Sequence, residues 1–246
     1  MTPPLLSIII PAYNEERRLP DTLQKISSFL LRQDYTYEVV VVENGSTDRT
    51  LDIARLFEQD YPFVRAMHLE GRGKGLAVRA GMLAAEGEYR FICDADLSMP
   101  IQEVNRFIPP LKPEGEIIIA SREAPGAVRY DEPIYRHLSG RAFNLAVRLL
   151  ALPGLRDTQC GFKCFSAEAA RTIFPLVTIH GWTFDVEALY IARRRGYRIV
   201  ELPIPWYFNP ESKVHLLRDL RQVVRDLLLI RRNAQQGVYD ARPSSL

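Results

Sequence analysis

The sequence predicts an α/β fold in which helices cover both faces of a mostly parallel sheet. Short apolar runs typical of buried strands alternate with segments whose apolar residues recur at helical spacing. A polar loop follows each apolar run before the helical pattern begins. Because the carboxyl ends of parallel strands lie at one edge of a sheet, these polar loops should line one common cleft.

The predicted elements follow one another in a regular order. The expected strands are residues 5–10, 38–42, 64–69, the run that leads into Asp94 and Asp96, and 117–120. Helical spacing follows each of the first three strands, for example at Leu19, Leu23 and Ile26. This repetition is what a doubly covered parallel sheet requires.

Composition indicates one substantial core without a second, separately linked domain. The chain has 246 residues, of which 47% are hydrophobic and 25% are charged, and no low-complexity linker interrupts it. The 32 basic and 30 acidic residues leave a net charge of +2, which argues against a nucleic-acid binder.

Neither a signal peptide nor a membrane-spanning helix is expected. No basic segment precedes Leu5, and no apolar run approaches the roughly 18 residues that a spanning helix needs. Three cysteines, Cys93, Cys160 and Cys164, form no Cys-x-x-Cys pair, so buried free thiols in a cytoplasmic protein are the simplest interpretation.

Asp94 and Asp96 are the most informative residues of the chain. They follow the apolar residues 91–93 at a spacing that lets both side chains point the same way from the end of a strand. Carboxylate oxygens suit Mg²⁺ or Mn²⁺ held together with substrate phosphates. A solvated turn is the alternative, since aspartates are common in turns.

Seven sequence blocks in order give this pattern a context. They are PAYNEE at 11–16, ENGSTDRT at 43–50, GRGKG at 71–75, DAD at 94–96, SR at 121–122, DTQCGFK at 157–163 and GWTFDVE at 181–187. Together they resemble the family 2 glycosyltransferases with the A-type fold, over roughly residues 5–213. Within that family the blocks are most similar to the dolichyl-phosphate (polyprenyl-phosphate) β-glucosyltransferases.

The resemblance implies a nucleotide-sugar site in the cleft. Its nucleotide-binding residues would be Pro11, Ala12, Tyr13, Glu15, Glu43, Lys74 and Asp94. Glu43 would contact the base, and Lys74 would suit the diphosphate. Two simpler interpretations remain open at this point: residues 11–15 as a loop that starts a helix, and residues 71–75 as a solvated glycine loop.

The resemblance also implies the metal, the catalytic groups and the acceptor site. Asp94 and Asp96 would hold the Mg²⁺ or Mn²⁺ cofactor. The catalytic residues would be Asp96, Arg122, Lys163 and Asp185, and the acceptor phosphate would contact Arg122, Arg136, Ser139 and Lys163. Related mannosyl enzymes have a glutamine where this chain has Ser98, which leaves a further metal ligand open. Asp185 and Glu187 could instead interact with a helix dipole.

Two basic, partly apolar stretches leave their partners open. Residues 122–148 hold five arginines among apolar side chains, and residues 213–232 combine six basic residues with an apolar stripe. Either stretch could pack on the core or bind an anionic membrane surface, and the second could also pair subunits. We expect a catalytic domain at 1–212 and a basic amphipathic C-terminal helix and tail at 213–246.

The function implied is inverting transfer of a sugar from a nucleotide sugar, UDP-glucose first, to a polyprenyl or dolichyl phosphate. The enzyme would be cytoplasmic and peripherally associated with a membrane. The alternatives are a GDP-mannose or UDP-GlcNAc donor, a hydroxyl acceptor, and, from another class, a non-catalytic nucleotide-sugar-binding protein. A homo-oligomer or a membrane-protein partner also stays open.

Overall fold

A seven-stranded sheet organises the chain in the computed structural model. The structure describes residues 2–209 and 216–241, apart from the side chains at positions 135, 136, 138, 139, 142, 146 and 216–220. The strands of the sheet are β1 (Leu6–Ala12), β2 (Tyr37–Asn44), β3 (Val64–Leu69), β4 (Tyr89–Ile92), β5 (Ile117–Ser121), β7 (Lys163–Ser166) and β8 (Ile199–Pro203). Two further strands, β6 (Val128–Tyr130) and β9 (Pro205–Tyr207), form a separate parallel pair.

The strand order is β3-β2-β1-β4-β7-β5-β8, and among the described strands of this sheet only β7 runs antiparallel to its neighbours. Parallel pairing joins β1 to β2 and β4, β2 to β3, and β5 to β8. The prediction of a mostly parallel sheet is confirmed. The antiparallel insertion of β7 between β4 and β5 was not predicted.

Seven α-helices and three short 3₁₀ helices connect the described strands. The α-helices are α1 (Leu19–Leu30), α2 (Thr50–Asp60), α3 (Lys74–Ala84), α4 (Ile134–Leu150), α5 (Ala167–Ile173), α6 (Phe184–Arg194) and α7 (Leu216–Gln235). The 3₁₀ helices are Ile101–Arg106, Phe174–Leu176 and Val238–Asp240. Among the described residues, no helix is both long enough and apolar enough to cross a bilayer.

The sheet separates two hydrophobic cores because successive residues of a strand face opposite sides. Ile9, Val40 and Val42 pack on the side covered by α3, α5, α6 and α7. Ile8 and Val41 pack on the other side, against α1, α2 and the 3₁₀ helix at 101–106. Helices on both faces are therefore confirmed, and all three cysteines are buried free thiols.

Among its described side chains, from 221 onward, helix α7 packs on the main body along one face. Val223, Leu227 and Ile230 are buried in the core that also contains α3 and α6. On the same helix Val224 and Leu228 are exposed. The core-packing interpretation of this segment holds for its buried face, and the exposed face leaves room for a further partner.

The ends of the strands place the polar loops at one edge of the sheet. Ala12 lies beside Glu43 in the register of β1 and β2. Strand β4 ends at Ile92. Asp94 and Asp96 therefore lie in the loop after the strand, whereas the sequence pattern placed them at the end of the strand itself. The loops after β1, β2 and β4 therefore meet at the carboxyl edge, where open α/β sheets bind ligands.

Candidate active site

Hydrogen bonds join the loop after β1 to the loop after β2. The Asn14 amide donates to Ser46 Oγ at 3.0 Å, and Asn14 Oδ1 accepts from the Thr47 amide at 2.9 Å. The Glu15 amide donates to Thr50 Oγ1 at 2.8 Å. Asn14 adopts a positive φ of 52°, a conformation that asparagine tolerates well. The two loops thus form one wall of the cleft.

Both glutamates predicted to bind the nucleotide are engaged by neighbouring groups. Arg18 donates to the two carboxylate oxygens of Glu15 at 2.7 Å each. Glu43 is buried, accepts from the Ser46 amide, and lies 2.5 Å from His68 Nδ1. Burial alone would raise the pKa of Glu43, but the hydrogen bonds from Ser46 and His68 lower it below its ordinary value.

The glycine loop at 71–75 packs closely against the segment before α6. Gly73 has a φ of 146°, and a Cβ atom there would lie 2.3 Å from the His180 carbonyl oxygen. The Asn44 side chain donates to the Gly73 carbonyl at 3.0 Å. These contacts fix the start of α3, whose first residue is Lys74. Gly73 is therefore needed so that the loop can approach the His180 backbone. The sequence did not indicate this contact.

Lys74 and Asp94 form the central ion pair of the site. Lys74 Nζ lies 2.6 Å from Asp94 Oδ1, and both side chains are largely buried. Burial alone would raise the pKa of Asp94, but the Lys74 ammonium outweighs it and lowers the pKa. Gly161 packs on the other carboxylate oxygen, so closely that a Cβ there would lie 2.4 Å from Asp94 Oδ2.

Asp96 lies beside this pair and is anchored by a turn. Its Oδ1 accepts from the Ser98 amide at 3.1 Å, and the Ser98 carbonyl accepts from the Tyr207 amide of β9 at 2.8 Å. Burial and the negative charge of Asp94 raise the pKa of Asp96. A nearby cation would favour the ionised form of both aspartates.

A second buried ion pair lies in the same part of the cleft. Lys163, the first residue of β7, places Nζ 3.0 Å from Asp185 Oδ1 in the first turn of α6, and it also donates to the Cys160 carbonyl. Burial raises the pKa of Asp185, and this effect outweighs the opposing attraction of Lys163. The structure thus assigns Lys163 and Asp185 to each other.

Carboxylates outnumber ammonium groups in this cluster. Three carboxylates, Asp94, Asp96 and Asp185, share it with two ammonium groups, Lys74 and Lys163. Within residues 2–209 and 216–241, no three His, Cys, Asp or Glu side chains are grouped so that they could hold a metal ion alone. A divalent cation at Asp94 and Asp96 would therefore need oxygen ligands from a substrate as well.

Arg122 is committed to a partner that sequence reasoning missed. Its Nε and Nη2 donate to the two oxygens of Asp157 at 2.7 and 2.9 Å, and its amide donates to the same carboxylate at 3.0 Å. Burial would raise the pKa of Asp157, yet Arg122 lowers it to about 2. The sequence indicated Asp157 only as a member of the DTQCGFK block. Its pairing with Arg122, 35 residues away, cannot be predicted from a single sequence.

The Arg122 guanidinium also makes a cation–π contact. The Arg122 guanidinium lies 5.5 Å from the ring centre of Trp206 on β9, and the Arg129 guanidinium lies 6.0 Å from the same ring. Arg129 in turn pairs with Glu123 and Glu132. The ion pair with Asp157 and the contact with Trp206 together hold the Arg122 side chain, of which about one-fifth is exposed.

Two of the predicted acceptor residues cannot be placed by side chain. Arg136 and Ser139 lie on α4, and their side chains are outside the described part of the structure.

Pro11, Ala12 and Tyr13 lie at the end of β1 and just beyond it, and the Tyr13 ring lies 5.1 Å from the Arg72 guanidinium. The structure groups Lys74, Asp94, Asp96, Lys163 and Asp185 closely, with Arg122 beside them.

Glu187 stabilises the segment that precedes α6 through hydrogen bonds, a role that the sequence did not indicate. It is fully buried and accepts from the Thr178 and Ile179 amides at 2.9 and 2.7 Å, and from the Tyr239 hydroxyl at 2.7 Å. These bonds tie the segment before α6 to the 3₁₀ helix after α7. Glu187 is thus a structural residue, not a helix-dipole partner alone.

Comparison with known proteins decides the family. Residues 7–174 match the family model described as glycosyl transferase family 2. The chain belongs to glycosyl transferase family 2. This family 2 glycosyltransferase is 34% identical over 249 residues to the dolichyl-phosphate β-glucosyltransferase of Homo sapiens, covering 95% of this chain and 77% of the relative. Its identity to the Saccharomyces cerevisiae enzyme of the same name is 33% over 255 residues, covering 95% and 76%.

Solved structures confirm the A-type fold of this family 2 glycosyltransferase. Glucosyl-3-phosphoglycerate synthase from Mycobacterium tuberculosis, crystallised with Mn²⁺, UDP and phosphoglyceric acid, has a TM-score of 0.66 and 19% identity, covering 98% of this chain and 80% of that one. The same synthase in complex with UDP has a TM-score of 0.65 and 21% identity, covering 92% and 80%. The resemblance read from the seven sequence blocks is confirmed.

Proposed function

We propose that this enzyme transfers glucose from UDP-glucose to a polyprenyl or dolichyl phosphate and inverts the anomeric centre. Relatives that are 32 to 36% identical over more than nine-tenths of the chain are dolichyl-phosphate β-glucosyltransferases. The observation that carries the proposal is the buried cluster of Lys74, Asp94 and Asp96 at the carboxyl edge of the sheet. It provides the charges that a nucleotide diphosphate and a divalent cation need.

The residues present fit a divalent cation, either Mg²⁺ or Mn²⁺. Asp94 and Asp96 would hold it, because their oxygens lie in a cluster where three carboxylates accompany two ammonium groups. The described protein groups alone do not complete a coordination shell, so substrate oxygens would share the cation. Diphosphate oxygens of the donor would supply further ligands. When bound, the cation neutralises the charge that develops on the departing UDP.

The loops after β1 and β2 would bind the nucleoside. They form one rigid wall through Asn14 and Glu15, which lie beside Tyr13. Glu43 lies at the base of this wall with its carboxylate ionised by the hydrogen bonds it accepts. Lys74 would contact the diphosphate while it holds Asp94 in the ionised state.

The acceptor chemistry requires orientation and not a protein base. A phosphate monoester has a second pKa near ~6, so it is largely dianionic at neutral pH. One of its oxygens attacks the anomeric carbon, the bond from that carbon to the UDP oxygen breaks, and an α-linked donor yields a β-linked product. Arg122, Arg136, Ser139 and Lys163 would orient the phosphate, with Arg122 and Lys163 held by Asp157 and Asp185.

Membrane association belongs to the same proposal. On α4, Ile134, Leu145 and Leu149 are exposed, and on α7 Leu228 is exposed. Exposed apolar side chains on basic helices suit the interface of a bilayer, where a lipid acceptor presents its phosphate. We propose that residues 1–212 form the catalytic domain and that 213–246 contribute to peripheral attachment at the cytoplasmic face; the boundary between them and residues 242–246 lie outside the described part of the structure.

Product identification tests the proposal directly. The purified protein is incubated with UDP-glucose, UDP-GlcNAc or GDP-mannose, with Mg²⁺ or Mn²⁺, and with either phytanyl phosphate or phytanol, and the glycolipid is analysed by mass spectrometry and NMR. We expect β-glucosyl phytanyl phosphate from UDP-glucose, and no product with chelator or from Asp96→Asn. Glucosylation of phytanol but not of its phosphate would refute the phosphate-acceptor mechanism.

A further inference from the structure

A basic cavity lies on α4, beside the residues that flank the Arg122–Asp157 pair. Its volume is about 520 Å³, and it is lined by Glu123, Arg141, Asn144, Leu145, Arg148 and Arg156. Glu123 directly follows Arg122, and Arg156 directly precedes Asp157. The cavity therefore borders the acceptor side of the site, although none of its lining residues belongs to the proposed catalytic or binding machinery.

Three positive charges face this cavity with little to neutralise them. In the part of the chain that the structure describes, the guanidinium groups of Arg141, Arg148 and Arg156 form no ion pair. Among the described lining residues, Glu123 carries the one carboxylate, and it is already held by Arg129. Counting the lining alone, three arginines and one glutamate leave a net charge of +2.

The lining carries hydrogen-bond donors and positive charge that suit a phosphate group. Guanidinium groups bind phosphate oxygens through paired N–H donors, a geometry that arginine provides better than lysine. Asn144 is buried in the lining and adds an amide that can donate a further hydrogen bond. Like-charged arginines gathered around one cavity repel one another, and a bound anion relieves this repulsion.

The apolar residues around the cavity indicate a lipid and not a soluble anion. Leu145 lines the cavity and is 54% exposed, and Leu149, one helical turn further along α4, is 75% exposed. Helix α7 contacts α4 and exposes Leu228 at 62%. A soluble phosphate would leave these side chains in water, whereas acyl chains would cover them.

We propose that this cavity binds the phosphate of an anionic membrane phospholipid. The lipid seats α4 on the bilayer with Leu145 and Leu149 among the acyl chains, and it holds the acceptor side of the cleft toward the membrane surface. The lipid-binding site stands on the geometry of the cavity. Its effect on catalysis rests on the proposed function, because only a lipid acceptor makes this orientation useful.

Vesicle binding tests the site. The triple variant Arg141→Gln/Arg148→Gln/Arg156→Gln is compared with Arg32→Gln/Arg55→Gln/Arg171→Gln, which removes equal charge from exposed positions elsewhere on the surface. Both are sedimented with vesicles of phosphatidylcholine alone or with added phosphatidylserine. We expect the cavity variant to lose at least about tenfold in affinity for the anionic vesicles, as for charge-assisted hydrogen bonds, and the control to lose much less.

Two outcomes would overturn the site. The cavity variant could bind anionic vesicles like the wild type, or the control variant could lose as much affinity, which would indicate general charge attraction. In the first case, titration calorimetry showing that inorganic phosphate binds the wild type and not the cavity variant would identify the cavity as a site for a soluble anion. Equal melting temperatures of the cavity and control variants exclude unfolding as the cause of any loss. Leu149→Gln tests the apolar contact separately: it should weaken vesicle binding without altering the charge.

Activity separates this inference from the proposed function. With a water-soluble, short-chain prenyl phosphate and no vesicles, we expect the cavity variant to keep the kcat/KM of the wild type. With polyprenyl phosphate in anionic vesicles, its rate should fall at least about tenfold, in line with the lost binding. If the wild type transfers sugar to neither acceptor, the proposed function fails, while the vesicle-binding result still decides whether the cavity binds lipid.

Discussion

Lys74 Nζ lies 2.6 Å from Asp94 Oδ1, at the point where α3 begins and the loop after β4 turns. Each residue keeps the other charged: the buried lysine retains a raised pKa because of Asp94, although burial alone would lower it. The Asp94 carboxylate is thus kept ionised by its buried lysine partner. This pair links the glycine loop at 71–75 to the loop after β4.

Replacing Lys74 should impair donor binding without unfolding the protein. In Lys74→Met the Asp94 carboxylate loses its charged hydrogen-bond donor, a contribution of roughly 1.5 to 3 kcal/mol, so kcat/KM for UDP-glucose should fall at least about tenfold. Lys25→Met, an exposed position on α1, is the matched control and should behave like the wild type. Wild-type kcat/KM in Lys74→Met would show that the pair is only structural.

Gly161→Ala should displace the Asp94 side chain in the loop after β4, where we propose that the metal binds. The new Cβ would lie 2.4 Å from Asp94 Oδ2, so the carboxylate has to move away from its position beside Lys74. We expect transfer to fall by more than about tenfold, with a higher metal concentration needed for half-maximal rate. Gly140→Ala on α4 meets no atom within 4 Å and is the control; it should stabilise by about 0.5 to 1 kcal/mol. Unchanged metal dependence in Gly161→Ala would contradict the assignment.

The Arg122–Asp157 pair should give the fold a defined dependence on pH. Because the folded pKa of Asp157 is about 2, below its ordinary 3.8, the stabilisation is present above about pH 4 and is lost as the pH falls toward 2. Asp157→Asn leaves a largely buried guanidinium unpaired, so the free energy of unfolding near neutral pH should fall by about 3 to 5 kcal/mol.

Urea unfolding at a series of pH values measures this effect. The difference in free energy between wild type and Asp157→Asn should shrink as the pH falls below about 4, since protonation removes the same charge from the wild type. Asp60→Asn, at an exposed position, should change little at any pH. A difference that stays constant down to pH ~2 would mean that Asp157 does not act through its charge.

Asp185→Asn distinguishes a structural carboxylate from a catalytic base. It leaves Lys163 buried without its partner, so we expect the free energy of unfolding to fall by about 3 to 5 kcal/mol, while kcat per folded molecule stays within about tenfold of the wild type. Adding Lys163→Met should restore part of the stability. A stable Asp185→Asn protein without activity would favour a hydroxyl acceptor activated by this residue.

The sequence was sufficient for the parts of the fold that depend on local pattern. Strand and helix positions follow from apolar periodicity, and the meeting of the loops after β1, β2 and β4 follows from the rule for parallel strands. Asp94, Asp96 and Lys74 could therefore be placed in one cleft before their distances were known. The exact end of β4 could not, because an apolar run does not show where backbone pairing stops.

The pairings between distant segments were beyond what a single sequence contains. Arg122 meets Asp157 and Glu187 meets Tyr239 only because the tertiary fold brings their elements together, 35 and 52 residues apart. From the sequence alone, these charged side chains and the Tyr239 hydroxyl could equally well bind a ligand, interact with a helix end or pair within the protein. The antiparallel direction of β7 depends likewise on how the long segment around α4 returns to the sheet.

The position of β7 has a consequence for how the chain reaches this structure. Residues 163–166 fill the gap between β4 and β5, which otherwise do not pair, so any fragment that stops before them leaves two strand edges open in the middle of the sheet. The first four strands come from neighbouring sequence, but the sheet is continuous only once this later strand has been added. Lys163 comes with it, so the cleft acquires its second lysine in the same step that removes the aggregation-prone edges.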